Sequence, residues 1–425
     1  MPATVSLLDE LSWRGLLHQY TDGLAESLAE KQRSAYCGFD PTASSLHVGN
    51  LVPVMGLVHL QRAGHRPIAL VGGGTGMIGD PSGKASERPL ATPEIVEQNA
   101  ASLHSQLERF LEFDGPAAAT MMNNAEWLAP LGAIEMLRDV GKHFTVNYML
   151  QKEAVKGRME AGISFTEFAY MLLQAYDYLQ IHRRTGATLQ VGGSDQWGNI
   201  TAGVELIRRV EGAHAHALTF PLITSASGTK FGKTEAGAVW LDPSRTSPYK
   251  FYQFWINADD RDASQYLRIF TLMPREEIEA LEAELRAHPE RRQAQQALAR
   301  EVTTRVHGAE TTRVVERASR VLFDKELDPT MVDEAVLTSL REEIPFAEIP
   351  APADGAIDVL DLFTGAGLAA SKGAARRLLE QGGLTVNGRR LEAAQRSIGT
   401  DALLPGRYLL LKKGAREYAL VRVKS

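Results

Sequence analysis

The chain has 425 residues, enough for two or three domains of about 150 residues each. Its 44% hydrophobic and 23% charged residues are typical of a globular protein, and no stretch approaches the roughly 18 apolar residues of a membrane span. The formal net charge of −6 gives no sign of nucleic-acid binding by the chain as a whole. The N-terminus lacks the pattern of a secretory signal, and the single cysteine, Cys37, excludes an intramolecular disulfide, so we expect a cytoplasmic protein.

The first part of the chain alternates between predicted strands and helices. Arg66–Val71 is a short apolar run that ends in three glycines and predicts a buried strand, and Gln190–Val191 leads into Gly192-Gly193 in the same way. Helical patterns cover residues 50–63, 93–112 and 164–183. This alternation predicts an α/β domain over 1–241, with a mostly parallel sheet that binds ligands at the carboxyl ends of its strands.

The rest of the chain divides by composition. Residues 242–343 are mainly helical, with helices at 277–288 and 291–306, and predict a helical subdomain. Residues 344–355 contain three prolines and predict a linker. Residues 356–425 contain a short basic helix over 371–381 and strands at 384–386, 407–412 and 418–423. They predict a small α+β domain.

Charge is distributed unevenly along the chain. Residues 356–425 contain twelve basic and six acidic side chains, a balance of +6, which leaves −12 for the remainder. Such asymmetry indicates a polyanion-binding domain, although a solvated basic face without a partner would have the same composition. A basic helix followed by a basic hairpin suits the shape of structured RNA. The RNA-binding candidates are Lys372, Arg376, Arg377, Arg389 and Arg390.

A glycine run follows the first predicted strand. Gly74–Gly79 fits the G-x-G-x-x-G pattern of dinucleotide-binding proteins, but Pro81 and Gly83 oppose the helix that this pattern must open. A Walker phosphate loop is excluded as well, because the required glycine and hydroxyl positions are absent. What remains is either a tight turn alone or a glycine turn that presents polar side chains at a strand end, namely Asp80, Lys84 and Arg88.

Two further segments suit a phosphate group. Residues 40–50 place Thr, Ser and His side chains before a helix, where free N–H groups and the helix dipole favour anions. Lys230 and Lys233 lie three apart beside glycines on a predicted loop. Taken singly, the histidine could be structural and the lysines solvated. Together they indicate a nucleotide site.

One helix carries polar residues at core-like spacing. Tyr170, Gln174 and Asp177 recur at i, i+4 and i+7 on an otherwise apolar pattern. This face either meets solvent or lines a polar pocket, in which case its groups need partners.

Several motifs resemble a known family. His47-Val48-Gly49-Asn50 and residues 230–234 (KFGKT) are similar to the HIGH and KMSKS signatures of class I aminoacyl-tRNA synthetases. Residues 36–43 (YCGFDPTA), 79–84 (GDPSGK) and 192–199 (GGSDQWGN) resemble bacterial tyrosyl-tRNA synthetases, and residues 356–425 resemble their S4 RNA-binding domain. Asn50 departs from the final histidine of HIGH, whereas KFGKT keeps both lysines of KMSKS.

The resemblance implies a Rossmann-like catalytic domain that joins L-tyrosine to ATP, releases pyrophosphate and transfers tyrosine to tRNA(Tyr). Mg²⁺ would accompany ATP without a dedicated set of protein ligands, and the chain would form a homodimer. Phosphate contacts would come from Thr42, His47, Lys84, Arg88, Lys230, Lys233 and Thr234. Other ATP contacts would come from Cys37, Gly38, Asp40, Gly49, Asn50, Gly193 and Asp195. Tyrosine would be held by Tyr36, Asp80, Tyr170, Gln174, Asp177 and Gln196.

Three other functions have less support in the sequence. A nicotinamide-dependent oxidoreductase built on Gly74–Gly79 would need a helix and then an acid near position 100. An RNA-binding regulator derived from a synthetase would be expected to have lost site residues that this chain keeps. In a tryptophan-specific synthetase the pocket would face an indole, whereas Tyr36 and Asp177 favour a phenol.

Overall fold

The computed structural model describes residues 6–82, 91–159, 162–229, 231–234, 237–323, 332–353, 355–415 and 417–424, with the backbone alone at 154, 233 and 234. The chain divides into two compact units. The first unit comprises Met1–Thr246 and Asn257–Leu298, and the second comprises Ser247–Ile256 and Ala299–Ser425. The boundary between the units falls inside the predicted helical subdomain, so the division at 242 and 343 stays a prediction.

In chain order, the helices are α1 (Leu7–Trp13), α2 (Leu24–Glu30), α3 (Leu51–Arg62), α4 (Pro93–Leu107), α5 (Ala125–Leu128), α6 (Ala133–Glu135), α7 (Val146–Leu150), α8 (Glu153–Met159), α9 (Phe165–Thr185), α10 (Trp197–Glu211), α11 (Pro248–Ile256), α12 (Asp260–Phe270), α13 (Arg275–Ala287), α14 (Gln293–His307), α15 (Ala309–Phe323), α16 (Glu334–Arg341), α17 (Val359–Gly365) and α18 (Lys372–Glu380).

The strands, also in chain order, are β1 (Gln19–Tyr20), β2 (Ser34–Phe39), β3 (Arg66–Val71), β4 (Thr120–Asn123), β5 (Leu189–Gly193), β6 (His216–Phe220), β7 (Lys233–Thr234), β8 (Gly237–Ala238), β9 (Phe346–Ile349), β10 (Ala356–Asp358), β11 (Leu384–Val386), β12 (Arg389–Arg390), β13 (Ser397–Gly399), β14 (Tyr408–Lys413) and β15 (Glu417–Val423).

The first unit is organised around a six-stranded sheet in the order β1-β6-β5-β2-β3-β4. Its strands pair in parallel except for β1, which is antiparallel to β6. The chain runs outward from β2 through β3 to β4 and then returns to place β5 on the other side of β2. This reversal of strand order leaves a crevice at the carboxyl ends of β2 and β5, where ligands bind in such sheets. The predicted α/β fold with a mostly parallel sheet is confirmed.

Local signals in the sequence explain the long helix that faces this crevice. Ser164 caps the first turn of α9 by accepting a hydrogen bond from the Glu167 N–H, and Gly186 ends the helix in the left-handed conformation, at φ 72°. The helices predicted at 50–63, 93–112 and 164–183 are confirmed as α3, α4 and α9.

The second unit contains helices and a small α+β domain. That domain has a five-stranded sheet in the order β12-β11-β14-β15-β9 and a two-stranded sheet of β10 and β13. Buried side chains of α17, α18 and the strands form one core, which includes Leu362, Phe363, Leu379, Leu411 and Val421. The predicted helix over 371–381 and the three predicted strands are confirmed.

Part of the predicted linker is a strand. Phe346–Ile349 forms β9, which pairs in parallel with β15, and Ala347 and Ile349 pack against the core of the α+β domain. This pairing satisfies the backbone hydrogen-bonding groups of the segment. The prolines of residues 344–355 predicted a linker and gave no indication of a strand.

Within the described residues, every helix is too short or too polar to cross a membrane.

Candidate active site

A cavity of about 570 Å³ opens in the first unit at the carboxyl ends of β2, β3 and β5. The predicted site residues that line it are Tyr36, Cys37, Gly38, Asp40, Thr42, His47, Gly49, Asn50, Asp80, Tyr170, Gln174, Asp177, Gly193, Asp195 and Gln196. They come from segments that are far apart in sequence, and the sheet brings them to one place.

The other predicted phosphate-binding residues cannot be described in the same way. Lys84, Arg88 and Lys230 lie outside the described residues, and Lys233 and Thr234 are described by their backbone in β7 alone.

One end of the cavity holds a buried carboxylate. Asp177 is only 2% exposed on α9. Its Oδ1 accepts a hydrogen bond from Trp127 Nε1 at 2.7 Å, and its Oδ2 accepts one from Asn124 Nδ2 at 2.9 Å. Both donors satisfy a group that would otherwise be costly to bury, and they fix the carboxylate plane at this end of the cavity.

Tyr36 lies beside this carboxylate. Its ring is buried and contacts the edge of Tyr178, with ring centroids 5.1 Å apart. Its hydroxyl is buried and has no hydrogen-bond partner among the described residues. An unpaired buried hydroxyl that lines a cavity next to a carboxylate can bind a ligand that carries its own hydroxyl group.

Burial controls the protonation of this region. Desolvation raises the pKa of Asp177 from 3.8 to about 7, against the hydrogen bonds from Asn124 and Trp127, which lower it. Desolvation also raises the pKa of the Cys37 thiol to about 12, so this side chain is a neutral thiol rather than a thiolate nucleophile.

A chain of hydrogen bonds runs from Asp177 toward the opposite end of the cavity. Asn124 Nδ2 also donates to Thr75 Oγ1 at 2.9 Å, and Thr75 Oγ1 donates to Asp40 Oδ1 at 2.7 Å. The Tyr170 hydroxyl donates to Asp40 Oδ2 at 2.8 Å. Asn124 and Thr75 therefore link Asp177 to Asp40, so the two carboxylates are not positioned independently.

A second polar group is built around Asp80. Its Oδ2 accepts from Gln196 Nε2 at 2.6 Å, and its Oδ1 accepts from the Ser82 N–H at 2.9 Å. Asn199 Nδ2 donates to Gln196 Oε1 at 3.3 Å.

Tyr170 and Asp177 are buried, so these two residues of the α9 face do not meet solvent.

His47 caps a short 3₁₀ turn at the start of α3. Its Nδ1 accepts a hydrogen bond from the Gly49 N–H at 3.0 Å, and Asn50 Oδ1 accepts one from the His47 N–H at 3.0 Å. Because Nδ1 is an acceptor, Nε2 carries the proton of the neutral ring and can donate it to an anion. Asn50, at the position that departs from HIGH, completes this capping box with its carbonyl oxygen.

A glycine pair at the end of β5 lets the backbone approach the cavity. A Cβ added to Gly193 would lie 2.6 Å from Asp195 Oδ1, and one added to Gly192 would lie 3.2 Å from Ile200 Cδ1 and 3.3 Å from Gln196 Cβ. A larger residue at either position would displace the side chains that follow β5.

The basic residues predicted to bind RNA lie on the α+β domain of the second unit. Lys372, Arg376 and Arg377 are exposed on α18, where Lys372 is paired with Asp361 at 2.5 Å. Arg389 is exposed on β12, and Arg390 Nε donates to the Gly382 carbonyl at 2.6 Å.

Sequence reasoning missed several residues at the cavity. Asn124 follows β4, a four-residue strand too short to be predicted, and its position at the carboxyl end of a parallel strand was the available signal. Thr75, Gln190 and Trp240 also line the cavity, and Trp127 contacts it indirectly through its hydrogen bond to Asp177.

Among the residues that the structure describes, no group of three or more His, Cys, Asp or Glu side chains is placed to hold a metal ion.

Comparisons with known proteins place the chain in a family. The family described as tRNA synthetases class I (W and Y) matches residues 28–324, and the tyrosine–tRNA ligase SYY-like C-terminal domain matches residues 337–421. A tyrosine–tRNA ligase of Anaeromyxobacter dehalogenans (strain 2CP-1 / ATCC BAA-258) is 56% identical over 420 residues, which cover 99% of this chain and all of the relative. One from Geobacillus stearothermophilus is 51% identical, with 98% and 100% covered.

A solved structure is also similar. The C-terminally truncated mitochondrial tyrosyl-tRNA synthetase of Aspergillus nidulans superposes with a TM-score of 0.69 at 32% identity, covering 76% of this chain and 95% of that one.

The raised pKa of Asp177 predicts a pH dependence of stability. Between about pH 4 and pH 7 the unfolded chain has released this proton while the folded protein still holds it, so the free energy of unfolding falls as pH rises. Asp177→Asn should remove a slope of up to about 1.4 kcal/mol per pH unit. Urea unfolding of both proteins without ligands, from pH 4.5 to 8, measures it. Parallel curves would contradict the assignment.

Proposed function

The chain belongs to the tyrosine–tRNA ligases among the class I tRNA synthetases, and we propose which of its residues act in each step of their reaction. These enzymes activate L-tyrosine with ATP and then transfer the tyrosyl group to tRNA. The observation that carries our assignment of the tyrosine pocket is the buried pair formed by Asp177 and the unpartnered Tyr36 hydroxyl.

The activation step needs no general base. The tyrosine carboxylate is already ionised at pH 7, and one of its oxygens attacks the α-phosphorus of ATP. A new O–P bond forms, the bond to the β-phosphate bridging oxygen breaks, and pyrophosphate leaves. The protein then contributes position and donors for the phosphate charge.

We propose that Thr42 and His47 contact the phosphates in the transition state. His47 suits this role because its Nδ1 accepts from the Gly49 N–H, so the proton of the neutral ring is carried on Nε2. The departing pyrophosphate would be held by cationic and hydroxyl side chains, namely Lys84, Arg88, Lys230, Lys233 and Thr234.

We propose that the remaining ATP contacts come from residues at the ends of β2 and β5 and from the turn before α3. They are Cys37, Gly38, Asp40, Gly49, Asn50, Gly193 and Asp195. Mg²⁺ would enter as part of the substrate, bound to phosphate oxygens and water.

The tyrosine side chain would lie between Asp177 and Tyr36, with its phenol donating to the carboxylate and accepting from the Tyr36 hydroxyl. Asp80, Tyr170 and Gln174 would bind the ammonium group, and Gln196 would approach the carboxylate. Gln196 supports this arrangement because it is already held by Asp80.

We propose that the tRNA half of the reaction depends on the α+β domain. Its exposed basic residues Lys372, Arg376, Arg377, Arg389 and Arg390 would bind phosphates of tRNA(Tyr), and the helical segment 242–343 would support the same RNA. Residues 1–241 would perform activation.

We further propose that the chain is a cytoplasmic homodimer. A free cysteine buried in the fold suits a reducing compartment. Large apolar side chains that are well exposed recur between positions 134 and 165 of the first unit, which favours contact with a second copy. They are Ile134, Leu137, Val146, Met159 and Phe165.

Two variants test the tyrosine pocket by amino-acid-dependent ATP–pyrophosphate exchange. Asp177→Ala should reduce the preference for tyrosine over phenylalanine by about 10- to 100-fold, because a hydrogen bond to a charged group is lost. Tyr36→Phe should also reduce this preference while leaving the unfolding midpoint unchanged, since its hydroxyl has no partner in the described structure.

Tyr20→Phe, at an exposed tyrosine of the same unit, is the matched control and should change neither quantity. Wild-type preference in both pocket variants would refute the assignment.

The basic surface is better tested by substitution than by deletion, because removing 356–425 would leave β9 without β15. Replacing Lys372, Arg376 and Arg377 together by Gln should spare tyrosine-dependent exchange and weaken tRNA binding. The slope of log affinity against log salt should fall by roughly two to three, if each residue neutralises one phosphate. Lys424→Gln, at an exposed lysine of the same unit, is the control. An unchanged slope would show that tRNA binds elsewhere.

Sedimentation equilibrium tests the dimer. The wild-type protein should have the mass of two chains, and Ile134→Asp should shift it toward one, because a charge would be buried in the contact. Ile95→Asp, at an exposed isoleucine of α4, should leave the mass unchanged. A wild-type mass equal to that of one chain would contradict the proposed dimer.

A further inference from the structure

Two buried amides interrupt the apolar face of α4. The buried positions of this helix include Val96, Ala100 and Leu103, and on the same face Asn99 and Gln106 are 9% and 8% exposed. Asn99 and Gln106 lie seven residues apart, which is two helical turns. A buried amide is costly unless it is hydrogen-bonded, so the partners of these side chains indicate what they do.

Both amides bind the loop of residues 40–47. Asn99 Nδ2 donates to the Pro41 carbonyl at 3.0 Å, near the start of the loop. Gln106 Oε1 accepts from the Leu46 N–H at 2.9 Å and from Ser45 Oγ at 3.2 Å, near its end. The two turns of helix between the amides therefore set the distance between the two ends of the loop.

The loop held in this way carries the proposed phosphate contacts. Thr42 follows the first anchor directly, and His47 follows the second directly. Leu103, between the two amides on α4, is itself in contact with the cavity. The Leu46 carbonyl also accepts a hydrogen bond from the Leu241 N–H. Gln106 therefore adds a second contact to a segment that is already paired on one side.

We propose that Asn99 and Gln106 are positioning residues for activation, which hold the 40–47 loop so that Thr42 and His47 meet the phosphates of ATP. This inference rests on the proposed roles of Thr42 and His47. Neither amide lines the cavity. Their effect follows from geometry, because a displacement of about 1 Å in a donor can lower the rate of a positioned reaction by about 100-fold.

The test uses the full-length protein and three substitutions in α4. Gln106→Met and Asn99→Leu keep side-chain size and remove the hydrogen bonds. Gln98→Met makes the matched change at an exposed position of the same helix. The measurements are the rate constant of tyrosyl-adenylate formation, the tyrosine Kd by equilibrium dialysis, and the unfolding midpoint.

We expect Gln106→Met and Asn99→Leu each to lower the rate constant by about 10- to 100-fold. The tyrosine Kd should stay within about twofold, since Asn99 and Gln106 make their hydrogen bonds to the 40–47 loop and not to Tyr36 or Asp177, and Gln98→Met should match the wild type. A general loss of packing would instead weaken tyrosine binding together with the rate. An unchanged rate in either folded variant, or a parallel loss of tyrosine affinity, would overturn the inference.

A double-mutant cycle with Thr42→Ala separates the inference from the proposed function. Thr42 directly follows the Pro41 anchor of Asn99, so Asn99→Leu should cost clearly less once Thr42 has been removed, whereas independent effects would multiply and overturn the inference. If Thr42→Ala alone leaves the rate unchanged, the proposed role of Thr42 is wrong. The Gln106→Met rate then still decides the inference, with His47 as the group positioned.

Discussion

The cavity depends on a line of hydrogen bonds that joins two of its carboxylates, Asp40 and Asp177. Asp40 and Asp177 come from different elements, yet Thr75 and Asn124 connect them through contacts of 2.7 to 2.9 Å. Buried carboxylates are stable only when donors surround them, so each member of this line requires the others. The proposed nucleotide contacts at one end and the proposed phenol contacts at the other therefore belong to one hydrogen-bonded network.

The parallel sheet makes this line possible. Strands β2, β3 and β5 end at the same edge, and the reversal of strand order between β2 and β5 opens the crevice into which their following loops project. α9 closes one wall of it with Tyr170 and Asp177. α4 supports the other wall by holding the 40–47 loop at two points. In the proposed chemistry no side chain of the protein acts as a nucleophile. The fold contributes instead by holding the proposed substrate-binding residues accurately in position.

The two halves of the proposed reaction make different electrostatic demands. The proposed activation takes place in the cavity of the first unit, where burial raises the pKa of Asp177. RNA binding needs exposed cations that exchange for counterions, and the residues proposed for it lie on α18 and β12. The uneven charge along the chain, +6 in the last seventy residues and −12 elsewhere, reflects this division.

The amino-acid sequence was sufficient to predict the α/β class, the boundaries of α3, α9 and β3 within about two residues, and the family. These depend on local signals, such as the Ser164 cap and the glycines after β3, and on contiguous motifs. It also pointed to Asp177 through helical spacing.

How the site is supported becomes visible only in the folded structure. The contacts of Asn124, Thr75 and Gln106 join residues some 35 to 60 positions apart, and no short-range pattern encodes such a contact. For the same reason β9 could not be predicted, since its strand pairing depends on β15, about seventy residues later. Local sequence determines secondary-structure propensity, whereas buried polar groups meet their hydrogen-bond partners only once the chain has folded.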